Sequence, residues 1–481
     1  MTDVIVIGCG VIGAALAYRL SQYKLKVLVL EKQNDVAMGA TRANSAIIHA
    51  GFDPEPGTLM AKLNVQGSNM ARTLCEKLSV PYLNNGALVL GFDKEEELTL
   101  NKLYERGIKN GVEGLSLLDG EQTRAMEPHV SREVTLSLYA PTSAIVDPWE
   151  YALAFAEVAK TNGVDFRFEQ EVTAIEKTAF GYTVITRKGR YDTRFVVNCA
   201  GVASDTVHDM VAPKSFTIRP VRGDYCVLDK NENSKAHCTL FQCPSKSGKG
   251  VLVTPTVHGN LLVGPNAVPC EDKFRVNTTA DGIDFVKRMA LRSVPDVDFR
   301  STIRSYAGMR ANHDRDDFII EFAAPAFLDI AGIKSPGLSA APAIALEALK
   351  LLEGVGLPME RNPSATDERK KLRFRNMTVE ERQRAISENP LYGRVICRCE
   401  TVTEAEILGA IHSPLTPHSI DGIKRRAGSG MGRCQGGFCS PKIVELLARE
   451  LGISPLEVLK DGAGSYILDS ETKDGEKANE L

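Results

Sequence analysis

The feature that most constrains this chain is a glycine-punctuated turn between two short apolar runs near its start. Val4-Ile5-Val6-Ile7 is β-branched and reads as a buried parallel strand. It breaks into Gly8-x-Gly10-x-x-Gly13, and Ala14 to Ser21 then reads as a helix. A second apolar run, Lys26 to Leu30, ends on Glu31. The glycines alone would be a weak signal, but strand, turn, helix, strand and acid in this order form a dinucleotide-binding βαβ unit. Gly8 permits the tight turn, Gly10 lets backbone approach a pyrophosphate, and Gly13 lets the helix pack closely on the strand. The helix N-terminus offers N–H groups and the positive end of a dipole to the phosphates, and Val11 and Ile12 in the turn before it are expected to lie against the cofactor. Glu31, eighteen residues after Gly13 and followed by Lys32, can accept hydrogen bonds from ribose hydroxyls. A carboxylate at that place would repel the 2′-phosphate of NADP.

The next stretch narrows the cofactor. Ala37 to Gly51 is dominated by small and hydroxylic residues, among them Thr41, Asn44 and Ser45, with Arg42 and His49 set between them. Backbone can come close to a large flat ligand there. A nicotinamide domain would continue with another βα unit; this chain gives a loop and then a helix, read at Pro56 to Leu78. That order points to FAD bound in an extended form.

Length and charge bound the rest. A chain of 481 residues has room for about three domains. A charged content of 25% with 43% hydrophobic residues is that of a folded globular protein. The formal net charge of -3 provides no field for nucleic acid or an anionic membrane. No apolar run is long enough to span a bilayer, because Phe327 to Leu352 is interrupted by Lys334, Pro336 and Pro342. The first residues are expected to be a strand rather than a signal peptide, so the default location is cytoplasmic.

Along the middle, Pro81 to Phe92 reads as hairpin material, and Lys94 to Asn110 and Trp149 to Asn162 as helices. Val164 to Arg187 alternates like paired strands around Phe180-Gly181, and Phe195 to Gly201 is a buried strand ending in small residues. Strand-like runs dominate Ile218 to Phe318, with one helix near Gly282 to Ser293. Phe327 to Gly332 returns as a core strand and leads into a helix at Ala340 to Glu353, whose N-terminus can stabilise negative charge on a reduced flavin. The fold expected is α/β: a Rossmann-type FAD-binding domain from 1–80, 138–215 and 319–356, with an antiparallel-sheet (α+β) substrate domain from 81–137 and 216–318. A solvated, predominantly basic link at 357–392 leads to a small helical domain at 393–465 and a polar tail at 466–481.

Of eleven cysteines, seven are scattered over the first 270 residues and read as small apolar side chains. The other four form Cys397-x-Cys399 and, with 34 residues between, Cys434-x4-Cys439 on glycine-rich turns. Two thiolate pairs suit a [2Fe–2S] cluster, since each iron takes two sulfurs and the glycines admit backbone N–H groups to the sulfides. Zinc is the rival, although its ligand pairs usually sit two to four residues apart. Disulfides are disfavoured in a cytosolic chain.

With these pieces assembled, the chain resembles the D-amino-acid-oxidase-type FAD-dependent oxidoreductases, joined to a domain similar to bacterioferritin-associated ferredoxin. The resemblance is carried by the glycine turn, Ala40 to Gly51, Asn198-Cys199-Ala200-Gly201, Ser305-Tyr306-Ala307-Gly308-Met309-Arg310, Gly332 to Leu338 and the four cysteines. It implies FAD in contact with Val172, Ala200, Gly201, Gly308, Gly332, Pro336, Gly337 and Leu338 as well as the residues of the first fifty. It also implies substrate held over the flavin and a [2Fe–2S] centre at Cys397, Cys399, Cys434 and Cys439. Electrons would pass on to a second flavoprotein subunit, to quinone or to another acceptor. Within this family the likeness is to enzymes that oxidise sn-glycerol 3-phosphate. His49-Ala50-Gly51 and Gly308-Met309-Arg310-Ala311 depart from the His-Gly-Gly and Gly-Leu-Arg-Pro of those enzymes, and His-Ala-Gly is more similar to L-2-hydroxyglutarate dehydrogenases. An amine or opine oxidase and a non-catalytic electron relay are the further alternatives.

Alcohol oxidation needs a hydride acceptor, a base and an anion clamp. His49 is the candidate base, or else a hydrogen-bonding partner of flavin or backbone. Arg310 is the first candidate clamp, because its planar fork matches carboxylate and phosphate oxygens, and Arg222 is the second. His313, in a turn rich in Asp314, Asp316 and Asp317, is expected at the surface.

Overall fold

Among the described residues the glycine turn lies at the middle of an eight-stranded sheet, in which six strands run in the order Val172–Thr178, Gly181–Thr186, Gly189–Asn198, Thr2–Ile7, Val27–Leu30 and Asp165–Arg167, while Phe327–Ala331 joins on Gly189–Asn198 and Ile319–Ala324 on Phe327–Ala331. The pairings around Thr2–Ile7 and Val27–Leu30 are parallel, and both strands are buried through their apolar runs. Burial on both faces is why these strands read as continuous rather than alternating. Gly189–Asn198 is long enough to change partners: its first half pairs antiparallel with Gly181–Thr186, its second half parallel with Thr2–Ile7 and Phe327–Ala331. This computed structural model describes residues 1–244 and 250–472. Of the polar tail read at 466–481, residues 473–481 lie outside the described residues. The chain forms two units, Met1–Lys32 with Val36–Lys370, and Gln33–Asp35 with Lys371–Leu481.

In the first unit the dinucleotide helix is Val11–Leu20, three residues earlier than the periodicity suggested, with Gly10 as its N-cap. Gly13 therefore falls in the first turn. A Cβ there would lie 2.0 Å from the Gly8 carbonyl oxygen, so close packing outweighs the roughly 1 kcal/mol that glycine costs a helix. Helix Leu59–Lys77 starts after Thr58, whose hydroxyl accepts from the Ala61 N–H. It crosses helix Gly337–Gly354 so closely that a Cβ at Gly67 would sit 2.1 Å from the Ser339 carbonyl oxygen. The latter helix begins at Gly337, with Pro336 as N-cap, one turn before the expected Ala340.

The second sheet has nine strands, including Val221–Leu228, Leu261–Gly264, Leu252–Pro255 and Thr239–Gln242, and helix Ala280–Ser293 closes its core. It is antiparallel as expected except where Thr239–Gln242 runs parallel to Ala87–Gly91. The hairpin expected at Pro81 to Phe92 is corrected: Tyr82–Leu83 pairs with Ala144–Val146, while Ala87–Gly91 lies between Thr239–Gln242 and Leu136–Ala140. Gly86, at φ +71, turns the chain from the small three-stranded sheet of Ile47–Ile48, Ala144–Val146 and Tyr82–Leu83 into the nine-stranded one instead of folding it back.

In the second unit, helices Glu404–Ile411, Ile420–Ala427 and Ser440–Leu451 enclose a core that includes Ile396, Ile407, Ile423, Ile443 and Leu447. The stretch read as a solvated link contains helix Val379–Glu388, opened by a Thr378/Glu381 capping box. Thr378-Val379-Glu380-Glu381 carries that signal in the sequence. Arg369, also read as solvated, is buried in the first unit between Glu150 (3.0 Å) and Glu157 (2.6 Å). Among the described residues no helix is long and apolar enough to cross a membrane.

The second unit also holds a buried charge centre. Asp35 accepts from Arg425 at 3.0 Å and Arg426 at 2.8 Å, and all three side chains are buried. Burial alone would raise the Asp35 pKa, but Arg426 and then Arg425 hold the carboxyl down at about 2. A depressed carboxyl pKa stabilises the folded state above the unfolded value of about 3.9, and that contribution is lost as pH falls towards 2. Asp35→Asn is expected to destabilise this unit at neutral pH by about 3–5 kcal/mol, since it removes the carboxylate from a buried ion pair with Arg426, while Arg425 retains Asp461 at 2.8 Å. The same variant should lose the part of the acid unfolding curve between pH 4 and 2, measured by circular dichroism.

Candidate functional site

Backbone meets backbone at the glycine turn. Gly8 takes φ +98, and a Cβ on it would lie 2.5 Å from the Cys199 carbonyl oxygen, which brings Ala200 and Gly201 alongside. Helix Val11–Leu20 opens with no capping side chain of its own, and Thr41 accepts the Val11 N–H at 2.9 Å from outside the helix. The Glu31 carboxylate accepts from the Cys9 N–H at 2.8 Å, so the acid is fixed beside the turn. Val172 packs with Ile7 and Leu30 on the same face of the sheet. Lys32 is directed elsewhere: its ammonium lies 3.6 Å from the centre of the Phe274 ring. A close-packed turn, a bare helix start and a fixed acid fit the pyrophosphate and ribose of FAD.

The loop that follows is held from both sides. Asn44 donates through its side chain to the carbonyls of Ala40 (3.1 Å) and Thr41 (2.7 Å), and its own carbonyl accepts from the Tyr306 hydroxyl at 2.8 Å. Ser45 and Tyr225 exchange a hydroxyl hydrogen bond of 3.2 Å, and the rings of Tyr225 and Tyr306 stack 4.7 Å apart. The Arg42 carbonyl accepts from the Trp149 indole at 2.9 Å. His49 sits at the start of helix Gly337–Gly354. Its backbone N–H donates to Ser339 Oγ at 2.7 Å, its Nε2 lies 3.1 Å from Ser335 Oγ, and its ring stacks on Phe241. The two serines, one turn apart beside Pro336, Gly337 and Leu338, carry no local signal in the sequence, since their partner His49 lies 286 and 290 positions away.

Strand alternation decides between the two arginines. In the antiparallel pair Val221–Leu228 and Thr302–Arg310, Val221 opposes Arg310, Arg222 opposes Met309, Gly223 opposes Gly308 and Tyr225 opposes Tyr306. Directly opposed residues share a face. Arg310 thus lies on the face of Gly308 and Tyr306, which looks onto the Ala43 to Ser45 loop; a Cβ at Gly308 would lie 1.9 Å from the Ala43 carbonyl oxygen. Arg222 lies on the other face, buried, with its Nη2 donating to Thr279 at 3.2 Å and its Nε 3.5 Å from Asp224. Its expected place as second anion clamp is therefore corrected, since it braces helix Ala280–Ser293 instead.

Asn266, unremarked in the sequence, ties the two faces together. Both Nη atoms of Arg310 donate to its carbonyl, at 3.3 and 3.2 Å. Its side chain accepts from the Asp224 N–H at 2.8 Å and donates to the Asp224 carboxylate at 2.9 Å. His313 is also corrected. Its ring packs against Gly332, where a Cβ would come within 2.4 Å, and burial followed by the charge of Lys334 lowers its pKa.

The four late cysteines meet across the two loops. Cys399 and Cys434 place their Sγ atoms 3.6 Å apart, and Cys439 is hydrogen-bonded to Cys397. Cys397 is held down at about 6, chiefly by that bond, against the cost of burying its charge and with help from the backbone of Gly430 and Glu400. Backbone bonds from Phe438 and Gly436 likewise lower Cys434. Gly432 has to be glycine, because a Cβ would lie 2.4 Å from that of Cys399. Among the described residues no three His, Cys, Asp or Glu side chains converge as one metal ion requires. Two sulfur pairs ringed by backbone donors fit a binuclear [2Fe–2S] cluster better than zinc.

Comparison with known proteins agrees with both halves. Residues 3–351 match the FAD dependent oxidoreductase family, and residues 395–449 match the BFD-like [2Fe-2S] binding domain. A glycerol 3-phosphate dehydrogenase of Caloramator mitchellensis is 48% identical over 98% of this chain and 99% of its own length. A glycerol 3-phosphate oxidase of Mycoplasma genitalium is 36% identical over 73% of this chain and 94% of its own. Among solved structures, dithionite-reduced L-alpha-glycerophosphate oxidase from Mycoplasma pneumoniae with FAD bound superposes with a TM-score of 0.73 at 33% identity, covering 77% of this chain and 99% of that one. The chain therefore belongs to the FAD-dependent oxidoreductases of this family and carries, after its flavin-binding half, a [2Fe–2S] domain.

Proposed function

We propose that this enzyme oxidises sn-glycerol 3-phosphate to dihydroxyacetone phosphate and delivers the electrons through FAD and the [2Fe–2S] cluster to a separate acceptor. The observation that carries the reading is the relative similar over nearly the whole length, cluster domain included, whose name states that substrate. Bound FAD would accept the hydride from the alcohol carbon. His49 takes the hydroxyl proton at Nε2 by way of the Ser335 hydroxyl hydrogen-bonded to that atom, which accepts the substrate proton as it gives its own to the ring, and Ser339 fixes the backbone behind it. Arg310 binds the phosphate with the donors not turned towards Asn266, and the Asn266–Asp224 bonds hold that carbonyl in place. The departures at Ala50 and Met309 keep an L-2-hydroxy acid as the second reading; a mitochondrial L-2-hydroxyglutarate dehydrogenase of Nematostella vectensis is 33% identical over 55% of this chain and 62% of its own.

Anaerobic addition of glycerol 3-phosphate is expected to bleach the flavin and then bring up the EPR signal of a reduced cluster. L-2-Hydroxyglutarate or a secondary amine doing so instead would transfer the enzyme to that substrate class.

Arg310→Ala is expected to lower kcat/KM for the anionic substrate about a hundredfold or more, as loss of charge-assisted hydrogen bonds implies. Intact bleaching in that variant would mark Arg310 as structural. Asn266→Ala should raise KM roughly tenfold with kcat little changed, and add nothing to Arg310→Ala, because the two act as one unit. His49→Asn is expected to lower kcat by about 10²–10⁴ with little change in KM, as loss of a general base would. Stopped-flow flavin reduction checks each.

A further inference from the structure

The two cysteine pairs differ in a way that family membership does not explain. Two thiolates on one tetrahedral metal, each about 2.3 Å from it, stand about 3.8 Å apart. The 3.6 Å between Cys399 and Cys434 is the spacing of two thiolates that would share one iron, and the bonded Cys397 and Cys439 would hold the other. Each iron would thereby be held by one cysteine of the early loop and one of the late loop. The pairs are also unequal in exposure: Cys397 and Cys439 are buried, whereas Cys399 and Cys434 are exposed. A cluster held by these pairs would turn the Cys399–Cys434 side outward.

The outward pair has a distinctive rim. The residue before each exposed cysteine is an exposed arginine, Arg398 and Arg433, and Lys442 is exposed on the first turn of the following helix. Phe438, next to Cys439, is 51% exposed, and the Arg398 guanidinium lies 4.6 Å over its ring. The nearest carboxylate in sequence, Glu400, is buried and paired with Arg375 at 2.8 Å. Arginine and a large aromatic ring are the residues enriched at the centres of protein interfaces. A basic rim around a redox centre attracts an acidic carrier through long-range steering, and electron-transfer encounters need only a small contact.

We propose that this rim is the docking surface for an acidic one-electron carrier protein, and that electrons leave through the iron held by Cys399 and Cys434. The proposal rests on the electron-delivery part of the function above and is independent of the substrate. Each docking event oxidises the cluster by one electron and reduces the carrier by one, so a two-electron substrate oxidation is drained in two events.

The test uses the full-length, cluster-loaded enzyme, its Arg398→Glu/Arg433→Glu variant and Phe438→Ala, matched for iron content and visible spectrum. An acidic flavodoxin is the protein probe, with binding read by interferometry at low and high salt. Wild type should bind it with an affinity that falls steeply with salt, and the double variant should bind at least about tenfold more weakly at low salt. Phe438→Ala should weaken binding without altering the salt dependence. In stopped flow, the ratio of the rates at which ferricyanide and hexaammineruthenium(III) reoxidise the dithionite-reduced cluster should fall at least about tenfold from wild type to the double variant, the anionic oxidant slowing and the cationic one speeding up. Flavodoxin binding that is absent or indifferent to both variants overturns the proposal. So does a variant that slows filling of the cluster after substrate but leaves flavodoxin binding and reoxidation unchanged, since the rim would then serve the inbound path. If the double variant does not load its cluster, Arg398→Gln/Arg433→Gln takes its place with the same expected directions.

Discussion

The first unit depends on one close approach. The Gly8 carbonyl lies where a Cβ at Gly13 would be, and the Cys199 carbonyl lies where a Cβ at Gly8 would be. Any side chain at either position would drive the helix off the strand or the strand off its neighbour. Because both contacts are backbone to backbone, no rotamer change relieves them, and the strands Thr2–Ile7 and Gly189–Asn198 are registered by hard geometry as well as by hydrogen bonds. The acid at Glu31 is held by the same turn through the Cys9 N–H. Cofactor affinity and sheet integrity are therefore one property here.

Around that anchor the site is assembled from pieces far apart in the chain, each held by a polar contact to the next. Ser335 and Ser339 bring helix Gly337–Gly354 to His49, Tyr306 and Tyr225 bring the second sheet to the loop at Asn44 and Ser45, and Asn266 fixes Arg310. Within the first unit the polar contacts position and the apolar clusters supply the burial, as the entropy cost of ordering so long a chain requires.

What could be read in advance follows from the range of the interactions. The glycine turn, the buried strands and the cysteine pairs announce themselves because their constraints are local in sequence. The helix starts at Val11 and Gly337 were missed by a turn because glycine and proline there serve packing and capping rather than propensity. The paired strands misread as a hairpin at Tyr82 and Ala87, the buried Arg369 and the bracing by Asn266 were not legible, since their partners lie tens to hundreds of residues away. Asp35 illustrates the same limit, being a single acid in a loop whose two arginine partners come 390 and 391 positions later.

The alternation of the strand Val221–Leu228 has an evolutionary implication. Arg222 and Arg310 differ in fate only by the parity of their positions against the opposing strand. Gain or loss of a single residue between Pro220 and Gly223 would turn the neighbouring guanidinium to the face of the Ala43 to Ser45 loop and send Asp224 with its buried network there too. Descendants of this fold can thus drift freely in the loops at either end of that strand, but within it they can change only by substitution.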